Sequence, residues 1–456
     1  MRLLITTFPR ARDCFFSVVI LSVLAHCGSS ALPKATTLTR PNVLIITADD
    51  LSAILGCYGN PIIKTPNIDR LAARGMLFER AYCQYALCNP SRTSMLSGRR
   101  PETTAVFTNT IDPRTSIGDV PFLPEFFKQW GYFTARVGKI AHGKYEDSVN
   151  WDVEKSSGDN ETQDCPFRRD SRFHLPCWEA NDHNDEDEPD GKTARQIVKL
   201  IEEHQGKAFF IAAGFIQSHL PFSAPKKYFS LYPPDSIVLT EELTRNEKPD
   251  RKEREAIAAY YACISFIDAQ VGVIIEALER LNLFDNTIVV FMSDHGLHMG
   301  EQGWLARKRT LFEADTRVPL IIAAPAKQAN AVSSRLVELV DLYPTLTALC
   351  GLPAPEGLEG TSIVPLLDEP DRPWKKAAFT SKLINGKPTF SVRTEQFRYI
   401  ASHTGSGKLY DHQSDPQERT NLVKDRRYRE TVAEMKRIVL EGWRKAVPAE
   451  IVVPVI

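Results

Sequence analysis

Two adjacent carboxylates follow the most apolar early segment of the chain. Asp49 and Asp50 are separated by Ala48 alone from residues 42–47, where apolar and β-branched side chains predict a buried strand. A hard divalent cation could bind both carboxylates at the carboxyl end of such a strand. Acid pairs after strands also act as caps, so this pair by itself leaves both roles open.

A second strand end carries a similar pair of side chains. Asp294 and His295 follow the apolar residues 287–292, and Gly296 permits a tight turn. Two such ends in one chain favour a metal site over caps. Three carboxylates favour Ca²⁺ or Mg²⁺ over Zn²⁺, because hard cations prefer oxygen ligands. We expect Ca²⁺ ahead of Mg²⁺, with His295 as the soft exception among the ligands.

Between these two strand ends lies a cysteine in a distinctive segment. Residues 88–92 read Cys-Asn-Pro-Ser-Arg, and residues 96–99 read Leu-Ser-Gly-Arg. This pattern resembles the sulfatase signature Cys-x-Pro-Ser-Arg with its Leu-Thr/Ser-Gly-Arg tail. A buried thiol ahead of a helix would explain Cys88 alone, but not the tail and the flanking strand ends. The resemblance implies that a maturation enzyme converts Cys88 to formylglycine, whose hydrate joins the metal ligands.

Four further side chains match the same family in chain order. Lys139 and His142 end another predicted strand, His219 lies in a later Gln-Ser-His-Leu-Pro-Phe segment, and Lys308 precedes a Thr-Arg-Val-Pro-Leu run. Each residue taken singly is more often a surface or core side chain. Together and in this order they resemble the active-site lysines and histidines of sulfatases.

The resemblance also implies a mechanism. Cleavage of a sulfate ester spreads negative charge over the sulfate oxygens, which the metal ion, Arg92, Lys139 and Lys308 would stabilise. One hydroxyl of the hydrated residue 88 would attack sulfur, while His219, helped by Lys308, gives the departing alkoxide a proton. The second hydroxyl, deprotonated by His142, would then expel sulfate and restore the aldehyde.

Several stretches look closest to the iduronate-2-sulfatases, among them residues 98–104, 126–132 and 337–345. This resemblance implies the 2-O-sulfate of a terminal uronic acid on a glycan as substrate. Gln217 stands near the position where the family pattern has a lysine, and residues 297–299 replace a tryptophan-containing turn. A sulfatase for another polysaccharide, or a phospho- or phosphonate-ester hydrolase of the same superfamily, is the alternative. A non-catalytic glycan-binding relative is disfavoured because the whole residue set is present.

Predicted strands and helices, which must position these residues, alternate along the chain. Short apolar runs predict strands at 42–47, 132–137, 208–215, 287–292 and 318–323. Amphipathic segments predict helices at 65–75, 193–204 and 254–281. The alternation predicts an α/β fold with a mostly parallel central sheet, helices on both faces and ligands beyond the carboxyl ends of the strands.

After about residue 371 the pattern changes. A smaller antiparallel α+β subdomain is predicted there. Its elements are strands at 379–383, 390–393 and 399–402, then a turn and a basic helix at 426–446. We therefore expect a leader at 1–31, a catalytic domain at 32–370 and a C-terminal subdomain at 371–456. The acid-rich residues 180–191 predict a solvated loop.

The first 31 residues predict a signal peptide. Arg2, Arg10 and Arg12 precede the apolar run 14–25, and small residues follow it. We expect a secreted or periplasmic protein, and a lipoprotein anchor at Cys27 is the weaker alternative. No later stretch approaches the roughly 18 apolar residues of a membrane span, so no transmembrane segment is expected.

Charge and cysteine content bound the partners and the compartment. Lysine plus arginine (56) nearly equals aspartate plus glutamate (57), which argues against nucleic acid as the main partner. The resemblance to sulfatases implies a sulfated glycan and the maturation enzyme as partners. Cys165 and Cys177 flank a short loop and are the best disulfide candidates in an exported chain. They also lie where the iduronate-2-sulfatases have a disulfide. For Cys263 and Cys350, a buried thiol fits equally well.

Overall fold

The computed structural model describes residues 40–156, 175–244, 251–402 and 407–448. Within these residues the strands are β1 (Asn42–Ala48), β2 (Met76–Tyr82), β3 (Phe133–Gly138), β4 (Val153–Lys155), β5 (Trp178–Asn181), β6 (Phe209–Phe215), β7 (Phe222–Pro225), β8 (Thr287–Ser293), β9 (His298–Met299), β10 (Leu305–Arg307), β11 (Arg317–Val318), β12 (Leu320–Ala323), β13 (Ala331–Glu338), β14 (Ala378–Ile384), β15 (Lys387–Arg393), β16 (Phe397–Ile400) and β17 (Lys408–Asp411).

The α-helices in the same ranges are α1 (Pro66–Ala73), α2 (Cys88–Ser97), α3 (Pro101–Thr104), α4 (Pro113–Ile117), α5 (Leu123–Gln129), α6 (Pro189–His204), α7 (Lys226–Phe229), α8 (Glu241–Thr244), α9 (Arg251–Arg280), α10 (Glu313–Thr316), α11 (Leu342–Leu349), α12 (Val364–Asp368), α13 (Arg429–Glu441) and α14 (Trp443–Ala446).

A mostly parallel sheet of nine of these strands forms the centre of the described chain. Its order is β11-β2-β12-β8-β1-β6-β3-β4, and β13 also pairs with β2. The pairs β8-β1, β1-β6, β6-β3 and β3-β4 are all parallel, whereas β12 runs antiparallel to β8 and β2. The carboxyl ends of β1, β3, β6 and β8 therefore meet at one edge of the sheet.

Both faces of this sheet are covered by helices. All seven residues of β1 are buried, and successive residues pack into opposite layers. Leu44 and Ile46 belong to the layer that includes α6 and α9, whereas Val43 and Ile45 belong to the layer that includes α2 and α5. The predicted α/β architecture with helices on both faces is confirmed.

Several strands of the central sheet depart from the sequence prediction. The strand predicted at 318–323 is divided into β11 and β12, because Pro319 has no amide hydrogen for the ladder. The strands β2 and β13 were not predicted, since charged and polar residues interrupt their apolar pattern. Pairing with neighbouring strands stabilises both of them in the fold.

The C-terminal residues form a separate antiparallel sheet in the order β14-β15-β16-β17. The predicted strand at 399–402 begins two residues earlier, and β17 follows where only a turn was predicted. The predicted helix at 426–446 is interrupted at Gly442, whose φ of 76° is not helical. The domain boundary at residues 370 and 371 stays a prediction, and the predicted leader lies outside the described residues.

Helix α9 corrects the expectation that no later segment has the length and apolarity of a membrane span. It contains a window of 18 residues with a mean hydropathy of 1.6, but 83% of that window is buried inside the protein. Buried helices in large cores are apolar all round. We therefore assign α9 to the core, where it packs against α6 and α1.

The acid-rich residues 180–191 are only in part the solvated loop that the sequence predicted, with Asp182, Glu186 and Asp187 exposed. β5 extends into this stretch, α6 starts at Pro189, and Glu188 and Asp190 are buried. Among the cysteines, Cys177 is disulfide-bonded, while its predicted partner Cys165 lies outside the described residues. Cys57, Cys83, Cys88, Cys263 and Cys350 are free thiols.

Candidate active site

The carboxyl end of β1 delivers two buried carboxylates to the edge of the sheet. Asp49 and Asp50 follow Ala48 directly and are 0% and 1% exposed. Asp50 has a left-handed backbone, with a φ of 60°, which turns the chain out of the strand. The Tyr260 hydroxyl donates to the Asp50 carbonyl oxygen (2.8 Å) and accepts from the Ser52 amide (3.0 Å), which fixes this turn.

Strand β8 places the second pair beside the first. β1 and β8 are parallel and paired up to their last residues, so Asp294 lies next to the β1 carboxylates. The Asp50 amide donates to Asp294 Oδ1 over 3.3 Å. His295 Nδ1 lies 2.9 Å from the carbonyl oxygen of Gly296, which assigns the proton of the neutral ring to Nδ1 and leaves Nε2 as the ligand atom.

Cys88 lies among these metal-type side chains. It is the first residue of α2, and the Ser91 hydroxyl fixes the start of this helix by donating to the Asp294 carbonyl oxygen over 2.6 Å. Cys88 Sγ lies 3.3 Å from Lys308 Nζ and 3.4 Å from His295 Nε2. The thiol is buried and free, so a covalent modification of this residue would lie within the cluster.

The ligand atoms of two overlapping groups each lie within 4.8 Å of one another. One group is Asp49, Cys88, Asp294 and His295, and the other is Asp49, Asp50, Cys88 and His219. Each carboxylate has about four lone-pair sites, so the ion pairs described below leave lone pairs that could bind a metal ion. Buried carboxylates with one imidazole nitrogen suit a hard divalent cation.

Two cations hold Asp49 from α2 and from the end of β3. Arg92 donates from Nε to Asp294 Oδ2 (2.8 Å) and from Nη2 to Asp49 Oδ1 (3.2 Å). Lys139 Nζ lies 2.6 Å from Asp49 Oδ2. Burial by itself would raise the pKa of Asp49, but Lys139 and Arg92 outweigh burial and hold that pKa well below its usual range. Asp49 is therefore ionised.

Close packing between β3 and β6 determines the position of Lys139. A Cβ atom on Gly138 would lie 2.0 Å from the Gly214 carbonyl oxygen, and one on Gly214 would lie 2.1 Å from the Lys139 carbonyl oxygen. Only glycine at both positions permits this approach. Arg92 Nη1 then donates to the Lys139 carbonyl oxygen over 2.7 Å, which ties this strand end to α2.

Lys308 and His219 lie around Asp50. Lys308 Nζ donates to both Asp50 carboxylate oxygens, over 2.7 and 2.9 Å. Burial would lower the pKa of Lys308, but Asp50 and Cys88 outweigh burial and raise it above its usual range, so the ammonium stays protonated. His219 Nδ1 lies 2.7 Å from the Leu220 carbonyl oxygen, and Nε2 lies 4.0 Å from Asp50 Oδ2. The His219 side chain is 31% exposed, at the mouth of the site.

His142 lies three residues after Lys139, in the segment that follows β3. It is partly exposed and precedes the 3-10 helix Gly143–Ser148. Its role as the base that releases sulfate stays a prediction.

Asp190 is a buried residue near the site that the sequence pattern did not single out. Its two carboxylate oxygens accept from the amides of Ile216 (2.8 Å) and Gln217 (2.9 Å). The His219 amide in turn donates to the Ile216 carbonyl oxygen over 2.9 Å. Burial raises the pKa of Asp190 to about 7, against the effect of both amides. Asp190 thus fixes the segment that carries His219, and nothing in its sequence context separates it from its exposed acidic neighbours.

Comparison with known proteins decides the family. Residues 41–352 match the family model described as "Sulfatase". The chain belongs to the sulfatase family. Residues 300–445 of this sulfatase also match the model "N-sulphoglucosamine sulphohydrolase, C-terminal". The resemblance to sulfatases that the sequence motifs indicated is confirmed, and the protein is a sulfuric ester hydrolase.

Two curated relatives span most of this sulfatase. A sulfatase of Formosa agariphila is 31% identical over 448 residues, which cover 88% of this chain and 86% of that one. Human iduronate 2-sulfatase is 33% identical over 410 residues, which cover 75% of this chain and 74% of that one. These matches agree with the motifs that resembled the iduronate-2-sulfatases.

The fold is shared with solved structures. The phosphonate monoester hydrolase of Agrobacterium radiobacter superposes with a TM-score of 0.75 at 23% identity, covering 88% of this sulfatase and 95% of that chain. At this identity the likeness concerns the fold alone. Sulfatases in general use a formylglycine and a divalent metal, and the buried ligand cluster around Cys88 fits both requirements.

Proposed function

We propose that this sulfatase removes the 2-O-sulfate from a terminal uronic acid of a sulfated glycan. Residue 88 would act as a formylglycine hydrate, and Ca²⁺ would be bound by Asp49, Asp50, Asp294 and His295. The observation that carries the proposal is the position of Cys88 Sγ, which lies 3.3 Å from Lys308 Nζ and 3.4 Å from His295 Nε2 inside the carboxylate cluster.

The cation and the formylglycine would supply a Lewis acid and a nucleophilic hydroxyl. Arg92 and Lys139 are engaged with the carboxylates, so their first task is to hold the ligands in place and balance their charge. Lys308 bridges Asp50 and residue 88, where its ammonium can stabilise charge on the sulfate oxygens.

His219 is the proton donor for the departing sugar oxygen. Because its Nδ1 is bonded to the Leu220 carbonyl oxygen, Nε2 is the atom that takes up and returns a proton. Asp50 Oδ2 lies 4.0 Å from that nitrogen. The partial exposure of His219 leaves room for a sugar at the mouth of the site.

The uronate substrate rests on the similarity to human iduronate 2-sulfatase, which exists alongside similarity to sulfatases of other names. We place the mature protein outside the cytoplasm, secreted or periplasmic, on the pattern of the first 31 residues. Its partners are then a sulfated glycan and the enzyme that matures Cys88.

The test combines mass spectrometry and defined substrates. The protein is produced with and without a formylglycine-generating enzyme, and the peptide across residue 88 is weighed. Sulfate release is then measured from a disaccharide with a 2-O-sulfated terminal uronate, from 6-O-sulfated N-acetylglucosamine, and from aryl sulfate, aryl phosphate and aryl phosphonate.

We expect turnover only with formylglycine at residue 88, and the highest kcat/KM on the uronate. Faster cleavage of the 6-O-sulfate would refute the substrate and retain the sulfatase. Faster cleavage of aryl phosphate or phosphonate would favour the superfamily alternative, and turnover with an unmodified Cys88 would refute the formylglycine.

A further inference from the structure

Three cationic side chains that the chemistry at residue 88 does not use lie together on one side of the active site. They are Arg307 at the end of β10, Arg309 directly after Lys308, and Lys382 on β14. Arg307 and Arg309 are exposed, and Lys382 is half-buried. We refer to these three residues as the basic rim.

Backbone contacts place the basic rim against the segment that leads into residue 88. The Arg309 amide donates to the Ala86 carbonyl oxygen over 3.0 Å. Ser381, the residue before Lys382, donates from its amide to the Gln84 carbonyl oxygen over 2.8 Å. Because two residues span at most about 7 Å and the hydrogen bond adds 3.0 Å, the Arg309 backbone amide lies within about 10 Å of the nucleophile position.

The contacts with Ala86 and Gln84 bring the cations of the basic rim to one segment of the chain, where their charges act on one another. Burial lowers the pKa of Lys382, and repulsion from Arg309 and Arg307 lowers it further, against the attraction of Asp315. The Arg307 guanidinium lies 4.3 Å from the centre of the Trp304 ring, which orients its planar group.

The positive charge of the basic rim is not neutralised within the described part of the chain. No carboxylate in the described ranges forms an ion pair with Arg307, Arg309 or Lys382. Asp315 is the acid whose charge acts on Lys382. It is buried and accepts hydrogen bonds from the Thr310 amide and hydroxyl, both over 2.6 Å. In contrast, Lys308 between the two arginines is paired with Asp50.

Unpaired cations beside a cluster that binds sulfate suit a second anion. Arginine binds carboxylate and sulfate groups through two parallel hydrogen bonds, and its planar fork fixes their orientation. A chain with a net charge of −1 gains no general affinity for polyanions from its overall charge, so a local cluster is where selectivity for a charged glycan would arise.

We propose that the basic rim binds a second anionic group of the substrate, next to the sulfate ester that is cleaved. This inference rests on the proposed action on a sulfated glycan. Two sources carry this chemistry, namely the carboxylate of the reacting sugar and a sulfate of the following sugar. The rim acts as a specificity site and takes no part in bond cleavage.

The test neutralises the rim without shortening its side chains. The variants Arg307→Gln, Arg309→Gln and Lys382→Gln are made singly and together, with Lys424→Gln as a control that removes one exposed cation away from the site. The variants Arg309→Lys and Lys382→Arg keep the charge. All proteins carry formylglycine at residue 88 and are compared by thermal melting.

Each protein is assayed on aryl sulfate and on the charged glycan substrate. We expect neutral variants to lose about 10- to 100-fold more kcat/KM on the glycan than on aryl sulfate, the effect of one or two charge-assisted hydrogen bonds. The charge-retaining variants should recover most of this loss. Equal losses on both substrates, or no loss on either, would overturn the proposal.

Two substrate changes separate the sources of the anion. If the carboxylate of the reacting sugar binds the rim, its methyl ester should lower kcat/KM in the wild type and leave the triple variant insensitive. If a sulfate of the next sugar binds the rim, removing that sulfate should lower kcat/KM in the wild type and leave the triple variant insensitive.

A competition assay keeps this test independent of the ester that is cleaved. A polysulfated hexasaccharide should inhibit aryl sulfate turnover more weakly in the triple variant than in the wild type, while inorganic sulfate should inhibit both equally. If the wild type cleaves aryl sulfate but no 2-O-sulfated uronate, the proposed substrate fails and the competition assay alone decides about the rim. Equal inhibition of the wild type and the triple variant by the hexasaccharide would then refute anion binding by the basic rim.

Discussion

Replacing Asp190 by asparagine tests how the fold holds the proton donor. Both oxygens of this buried carboxyl accept backbone amides, from Ile216 and Gln217. Asparagine has one acceptor oxygen, so its NH2 group would face the second amide. A buried donor left without an acceptor costs about 1–3 kcal/mol. At pH 4, where the native carboxyl is protonated and can still accept both amides, we expect Asp190→Asn to be less stable by this amount.

The sign of the pH dependence follows from the raised pKa. Burial raises the Asp190 pKa to about 7 in the folded protein. The unfolded value is about 3.9, and one pKa unit corresponds to about 1.36 kcal/mol. The folded state therefore binds the proton more tightly, and the contribution of Asp190 to stability is complete below pH 4 and falls by up to roughly 4 kcal/mol as pH rises towards 8. Asparagine cannot ionise, so the two proteins should converge in stability or change order.

The assay is urea unfolding of both proteins between pH 4 and pH 8, with Glu186→Gln as a matched exposed control. The difference between wild type and variant isolates Asp190 from the other titrating groups. A constant difference across this range would refute the buried, proton-binding role. Because displacement of a catalytic group by about 1 Å can cost on the order of 100-fold in rate, kcat on the glycan should also fall. An unchanged kcat would refute the role of Asp190 in positioning His219.

Four further outcomes are expected. Cys88→Ala should abolish turnover, and Cys88→Ser should be sulfated at most once, which intact mass detects; multiple turnovers by the serine variant would contradict the diol mechanism. Chelation should abolish activity, and Ca²⁺ should restore more of it than Mg²⁺; a metal-independent enzyme would disprove the ligand cluster. His219→Ala should lose about 10²–10⁴-fold on sugar sulfates and far less on nitrophenyl sulfate, whose leaving group needs no proton; equal losses would exclude a proton donor. Lys375→Met should lower the free energy of unfolding by about 3–5 kcal/mol, because Lys375 is the buried partner of Glu338 and Asp341; a cost below about 1 kcal/mol in urea would show that these carboxylates are compensated otherwise.

The fold was predictable where the local pattern and the tertiary environment agree. Strands β1, β6 and β8 are buried on both faces, so their side chains read as continuous apolar runs in the sequence. Strands β2 and β13 are only partly buried, with Arg80 and Arg335 along them, and their pairing depends on partners far away in the sequence.

The sequence by itself determined the family motif around Cys88 and the side chains at two strand ends. It could do so because a motif is local, and because parallel strands bring their carboxyl ends to one edge of a sheet. It also supplied the order in which Lys139, His219 and Lys308 follow. These features need no knowledge of distances.

Only the tertiary structure decided which groups meet. Arg92 and Lys139 proved to hold Asp49, and the buried Asp190 proved to support the His219 segment. Backbone contacts with the segment before Cys88 proved to bring Arg307, Arg309 and Lys382 to one side of the site. None of these contacts joins residues close in sequence, except Arg307 with Arg309. Long-range packing sets the burial and the charge around each group, and these two quantities determine protonation and the binding of anions.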